Sequence, residues 1–308
     1  MTVFKQPLET LRRARILFRM VRWLVNWRDV WHPYFAGGAL PPLRLRRGLT
    51  LHHTPDDGPV LLVFEVFADK CYRRYIDCPT AGVILDIGAN IGAFTLDWAS
   101  STHKVRIYAY EPNPKTNKTL RFNVNVNGLA DWVTIYDEAV GRACGKFKLW
   151  TNIPSLIATG YGTITASPEG NAVSVPMIDL NEVVRRAGGS IELLKIDAEG
   201  AEADILEGAT SLTLGAIRRV VLEYHESLCP NALVRCKRVL DGAGFRCRIR
   251  PHKRRESMTG LLYAWRDTID ISDLVDAGTH SIRPIKGAAP KKQEFQVVPS
   301  QKNYGICP

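Results

Sequence analysis

Apolar positions along the chain change rhythm at Val83. Upstream they recur every three or four residues, from Ile16 through Met20, Leu24 and Trp27. Downstream they come in short unbroken runs separated by longer amphipathic stretches. Short unbroken runs rich in Val and Ile read as buried strands, and the stretches between them as helices. The pattern predicts strands over 83–87, 105–110, 132–136, 191–197, 217–223, 244–250 and 260–265, with helices over 91–101, 114–127, 179–187 and 231–242. Leu61–Ile76 is expected to pack ahead of the first strand, a hairpin to lie near Gly141–Trp150, and 152–172 to form a long loop. Strands alternating with helices in this way imply an α/β fold with a mostly parallel sheet and helices on both faces. Residues 1–60 then form a helical extension and linker, 61–270 the core domain, and 271–308, with few large apolar residues, a flexible tail.

Chemistry concentrates where the first strand ends, in Asp86-Ile87-Gly88-Ala89-Asn90-Ile91-Gly92. A glycine turn between a strand and a helix lets backbone approach a ligand closely, and in open α/β sheets ligands sit at the carboxyl ends of the strands. The turn lacks the third glycine of a dinucleotide fingerprint, and a carboxylate at Asp86 is unfavourable beside a pyrophosphate. The cationic amino and sulfonium groups of S-adenosylmethionine suit that carboxylate instead. The second strand ends in Glu111, placed to accept both ribose hydroxyls of an adenosine; a charge favourable to the helix starting near Asn113 is the plainer role.

The segment Ile191–Ala209 (IELLKIDAEGAEADILEGA) adds a resemblance that spacing alone does not supply. With DIGANIGAFT, YEPNP, the asparagines of RFNVNVNG, VPMIDL and VLEYHE, in that order, the chain resembles the FkbM family of S-adenosylmethionine-dependent methyltransferases over about residues 80–250. The resemblance implies a Rossmann-like class I methyltransferase fold and O-methylation of a hydroxyl on a sugar, glycan or polyketide-like acceptor. The candidate cofactor-binding residues are Asp86, Gly88, Ala89, Asn90, Gly92, Glu111, Asn113 and Asp137, and the candidate catalytic ones His225, Asp197 and Glu199. A cofactor-binding module without turnover, or a Rossmann oxidoreductase, are the competing readings.

The residues of that segment read compatibly on their own. Ile191, Leu193, Leu194 and Ile196 form a buried strand whose tip carries Asp197 and Glu199, carboxylates able to orient a hydroxyl, coordinate a divalent ion or cap the next helix. A metal is not specifically indicated. Glu202 and Glu207 read as a solvated helix face. Methyl transfer requires positioning and a proton acceptor for the hydroxyl, and His225, beside Glu223 and Glu226, is the candidate base. Tyr161, between Gly160 and Gly162 in the long loop, could stack on a sugar ring. The histidines at 52, 53, 103, 252 and 280 receive no role.

The formal net charge of +10 is uneven. Residues 1–50 hold ten Lys/Arg against two acids, and residues 235–255 nine against one, leaving the remainder acidic. Neither basic stretch has the aromatic interleaving of an RNA module or a helix-turn-helix, so nucleic acid is disfavoured as a partner. Leu8–Trp31 reads as one helix bearing Arg12, Arg13, Arg15, Arg19 and Arg22, with Trp23, Trp27 and Trp31 spaced every fourth residue. Its apolar stripe is expected to pack on the domain, with peripheral contact at a membrane surface as the alternative. Seven cysteines without a C-x-x-C pair argue against zinc and against a full disulfide framework, and favour a cytoplasmic location.

Overall fold

The structure, a computed structural model, describes residues 5–54, 57–102, 104–151, 171–252 and 258–266. A short antiparallel pair, β1 (Leu43–Arg44) and β2 (Thr50–Leu51), precedes a central sheet built from β3 (Gly82–Ile87), β4 (Val105–Tyr110), β5 (Val133–Tyr136), β9 (Leu193–Ile196), β10 (Arg219–His225), β11 (Arg246–Pro251) and β12 (Thr259–Trp265). The spatial order is β11-β12-β10-β9-β3-β4-β5. Strands β3, β4, β5, β9 and β10 pair in parallel, and β12 runs antiparallel to both β10 and β11. The chain lays down β3, moves outward to β5, then returns to the other side of β3 as β9. That reversal between β3 and β9 is where a doubly wound sheet opens a ligand crevice at its carboxyl end.

The helices between the strands include α4 (Ala93–Ala99), α5 (Pro114–Val126), α6 (Leu180–Arg186), α7 (Glu202–Glu207), α8 (Ser211–Gly215) and α9 (Ala232–Gly242). Their starts are locally specified. Asn113 caps α5 by accepting the amide of Lys115, and Asp179 caps α6 by accepting that of Glu182 at 2.9 Å. The asparagines of RFNVNVNG tie the extension to the core: Asn123, fully buried, brackets the backbone of His52 and also donates to the Ile91 carbonyl, while Asn127 brackets Thr50. Each of those side chains satisfies backbone groups that would otherwise be buried unpaired.

Three features differ from expectation. The helix expected over 8–31 is two, α1 (Lys5–Trp23) and α2 (Trp27–Ala36), because the chain breaks at Leu24, which forms a bridge with Leu45. Asn26 holds the break by donating to the Pro42 carbonyl at 2.9 Å and accepting the Arg44 amide at 3.0 Å, competing with helical hydrogen bonds. Met20 and Leu24 are fully buried and share one core cluster with Ile84, Leu96 and Ile107, while Leu11, Phe18 and Val25 stay exposed. Leu61–Ile76 becomes the short α3 (Pro59–Leu62), a π-helical turn over Val63–Ala68 and a 3-10 turn over Cys71–Arg73.

The third difference is a second sheet. A strand β8 (Asn171–Asp179), unforeseen in the sequence, pairs antiparallel with β7 (Gly145–Thr151) and parallel with β6 (Ala139–Gly141). Its strand pattern is interrupted by Ser174 and Pro176, and its pairing partner β7 lies across the segment 152–170, so no local signal announces it. Tyr161 and the tail from 271 lie outside the described residues. Among the described residues, no helix is long and apolar enough to cross a membrane.

Candidate active site

A cavity of about 260 Å3 lies at the carboxyl ends of β3, β4 and β9. Gly88 of the turn, Tyr110, Glu111 and Pro112 after β4, Phe147, Leu149 and Met177 of the second sheet, and Asp197 and Glu199 after β9 all face it. The walls are apolar near Tyr110, Val140 and Met177, and acidic near Glu111, Glu138, Asp197, Glu199 and Asp204.

The turn itself is locked by its neighbours. Gly88 and Ala89 both donate to the Tyr110 carbonyl at 3.0 Å, and Gly88 sits at φ +73° with its α-carbon pressed against β9. A Cβ at Gly88 would come within 1.8 Å of the Asp197 carbonyl oxygen, so no side chain fits there. Gly92, at φ +94°, starts α4 instead of lining the cavity.

Asp86 does not contribute a free carboxylate to the cavity. It is fully buried, accepts the Thr95 hydroxyl at 2.6 Å and pairs with the ammonium of Lys195 at 3.1 Å. Register explains the pairing, because Asp86 and Lys195 are direct neighbours across the parallel β3–β9 ladder. Lys195 is itself buried and donates to the Gly88 carbonyl at 2.6 Å. Burial works against its charge, but Asp86, then Asp197 and Glu111, hold its pKa above the ordinary lysine value. The expected attraction between Asp86 and a sulfonium is thus already spent on Lys195, whose amine in turn clamps the turn.

Glu111 is placed differently. Its Oε2 accepts the Asn90 amide and its Oε1 the Asn113 amide, each at 2.9 Å, so each oxygen keeps lone-pair capacity on the cavity side. Burial drives the carboxyl up to about 7 against the pull of those two amides and of Lys195. Asn90, which gives one of the amides, holds the left-handed conformation at φ +51°, and Ala89 and Asn90 line a smaller recess with Lys195 and Tyr72. Asn113 acts through its backbone and as the α5 cap. Asp137 is not in the main cavity; it lines a separate recess beside Asn117 and Arg121, and the adjacent Glu138 faces the cavity instead. Successive residues of an extended segment point to opposite sides, which is why a one-residue choice matters there.

The second group is assembled from remote elements. Asp197, Glu199 and His225 bring one ligating atom each to within 4.8 Å of one another. Tyr72 donates to Asp197 at 3.1 Å, and the Lys195 ammonium is 3.8 Å away. Glu202, expected on a solvated helix face, is fully buried: one of its oxygens accepts the Ala198 and Gly200 amides and lies 2.9 Å from His225 Nδ1. Glu207 is paired with Arg235 and Arg142. Burial alone would lower the His225 pKa, but Glu202, then Glu199 and Asp197, lift it to about 10. The ring expected as a free base is an imidazolium between two carboxylates at neutral pH. Burial, with Asp197 and Glu202 beside it, raises Glu199 to about 7 against the pull of His225. Tyr72, Lys195 and Glu202 are site residues that sequence reasoning missed; only Lys195 and Glu202 carried a signal, as part of KIDAEGAE.

Residues 86–247 match the Methyltransferase FkbM domain family. The chain is 31% identical over 231 residues to the 31-O-demethyl-FK506 methyltransferase FkbM of Streptomyces tacrolimicus, covering 66% of this chain and 88% of that protein. It is 28% identical over 151 residues to the hexuronic acid methyltransferase AglP of Haloferax volcanii, covering 48% of this chain and 58% of that protein. Among solved structures, the methyltransferase FkbM of Methylobacillus flagellatus KT aligns at 16% identity with a TM-score of 0.46, over 63% of this chain and 47% of that one. The family match begins at the turn carboxylate Asp86, takes in Glu111 and the Asp197–Glu199–His225 group, and spans more than half of the sequence, so the chain belongs to the FkbM family of methyltransferases.

Proposed function

We propose that the protein transfers a methyl group from S-adenosylmethionine to a hydroxyl of a small sugar, glycan or polyketide-like acceptor. The observation that carries this reading is one cavity lined both by Glu111, with unspent acceptor capacity on each oxygen, and by Asp197 and Glu199, with His225 packed behind Glu199 at 3.5 Å. Its acidic lining suits a cationic cofactor and opposes the pyrophosphate of a dinucleotide. When bound, S-adenosylmethionine supplies a methyl group activated by a sulfonium leaving group.

The chain's own residues do the rest. Glu111 receives the ribose hydroxyls, the Gly88–Asn90 backbone holds the cofactor close to the sheet, and the apolar walls at Tyr110, Pro112 and Val140 take the adenine. Asp197, Glu199 and His225 orient the acceptor hydroxyl, and a carboxylate oxygen of Glu199 takes its proton as the new C–O bond forms. Positioning of this kind supplies most of the rate when the leaving group is already good. The relatives named for 31-O-demethyl-FK506 and for a hexuronic acid favour oxygen acceptors on small molecules.

Calorimetric titration with S-adenosylmethionine, its demethylated product and NAD tests the cofactor half; saturable binding of the first two and none of the third is expected. Transfer of labelled methyl to a panel of hexuronic acids, glycosides and polyketide alcohols tests the rest. Binding of NAD in preference, or labelling only of amines, overturns the reading.

A further inference from the structure

We infer that Asp197, Glu199 and His225 form a binding site for a divalent cation, and that the acceptor's oxygen atoms coordinate that cation. This rests on the reading of the cavity as the site of methyl transfer. The three ligating atoms come from the tips of two adjacent parallel strands and already lie within 4.8 Å of one another. Ligands sharing one ion at bond lengths near 2.1 Å sit about 3 to 4 Å apart, so small side-chain adjustments close the set.

An independent observation concerns the imidazole. The His225 side chain is only 8% exposed, and its Nε2 faces the Glu199 carboxylate at 3.5 Å, an ion pair longer than a normal hydrogen bond. The other nitrogen is fixed by Glu202 at 2.9 Å. Glu202 is not itself a ligand, because two backbone amides and the ring occupy it. A buried carboxylate on one imidazole nitrogen, with the other facing the carboxylate of Glu199, is the outer-shell arrangement that orients metal-bound histidines, and a bound cation takes the place of the Nε2 proton.

Two carboxylates and one imidazole suit Mn2+ or Mg2+ better than a soft-ligand metal. Three protein ligands on a six-coordinate ion leave positions for two neighbouring acceptor oxygens, so the favoured acceptor is a vicinal diol or hydroxy acid. Coordination weakens the O–H bond of the reacting hydroxyl. Its proton passes to the Glu199 oxygen that does not bind the ion, the oxygen's electron pair forms the bond to the methyl carbon, and the carbon–sulfur pair returns to sulfur.

The test is titration of Mn2+ alone into the full chain, followed by the loss of the free-ion electron paramagnetic resonance signal, with Mg2+ as competitor. One Mn2+ per chain is expected, weakened at least tenfold in Glu199→Gln and His225→Ala, and about 10- to 100-fold in Glu202→Gln, which touches no ion. S-adenosylmethionine affinity, measured on the same samples, reports that each variant is folded. Cofactor binding without saturable Mn2+ uptake, or uptake unchanged in Glu199→Gln and His225→Ala, overturns the metal site while leaving the proposed function standing. Mn2+ uptake lost in those variants but no S-adenosylmethionine binding would do the reverse.

Discussion

The two ends of the cavity manage negative charge in opposite ways. Glu111 is held by backbone, with one amide from the β3 turn and one from the start of α5. Asp197 and Glu199 are instead held by side chains from other elements: Tyr72, Lys195 and His225. A backbone-held carboxylate needs only a local chain conformation, which short motifs specify. A side-chain-held cluster needs registry between strands far apart in sequence. The proposed cofactor end therefore needs only the adjacent strands β3 and β4, whereas the proposed acceptor end draws on β9, β10 and the turn that carries Tyr72.

Gly88 packs directly against the Asp197 carbonyl, so replacing it disturbs both ends. In Gly88→Ala the Cβ overlaps the Asp197 carbonyl, and the left-handed backbone adds strain. A destabilisation above about 4 kcal/mol is expected from denaturant unfolding, with cofactor binding lost. A variant that binds S-adenosylmethionine normally would show that the turn and β9 are not mechanically joined.

Lys195→Met tests the acceptor end's dependence on assembly. It leaves Asp86 buried with its charge uncompensated, which costs about 3–5 kcal/mol when one partner of a buried pair is removed. The double variant Asp86→Asn/Lys195→Met should regain much of that loss, because no bare charge remains. Equal stability in the single and double variants would mean that the pair is not coupled.

Asp197→Asn keeps the shape of the group and removes one charge. On an acceptor that the wild type methylates, the rate should fall at least about 100-fold, near 2.7 kcal/mol of barrier, while S-adenosylmethionine affinity changes by less than about threefold. A parallel loss of affinity would mean that the two ends do not divide the work.

The same division explains what the sequence made legible. The turn, Glu111 and KIDAEG announce themselves because strand, turn and acid are consecutive. The sheet follows from alternating apolar runs, whereas the hold of the RFNVNVNG asparagines on Thr50 and His52 crosses more than 70 residues and is visible only in the structure. Asp86 pairs with Lys195, a partner found only through the β3–β9 register. Glu202 looks like a solvent-facing residue in an alanine-rich helix, yet the first turn of α7 folds it beneath His225. Tyr72 lies on an irregular turn 125 positions from Asp197, with no periodicity to mark it. Sequence separation, not chemical subtlety, limits such inference.

The smallest expected effects belong to Glu111, and they carry a sign. Glu111→Gln removes a charge-assisted acceptor and should weaken S-adenosylmethionine by about 1.5–3 kcal/mol, roughly 10- to 150-fold. The carboxyl sits at about 7 in the folded protein against an ordinary 4.5. Its contribution to stability is therefore fully present below pH 4.5 and is lost as the pH rises through 7, a change of about 3 kcal/mol for a group this buried. Glu111→Gln lacks that decline, so relative to wild type it should gain stability between pH 5 and 8. Cofactor binding runs the other way. Ribose hydroxyls donate to the ionised carboxylate, so affinity should rise from pH 6 towards 7.5 and then flatten, with about one proton released below pH 7. In Glu111→Gln the affinity should be flat across that range. A pH-dependent rise that survives in Glu111→Gln would place the titrating group at the acceptor end and dissolve the contrast between a backbone-held and a side-chain-held half.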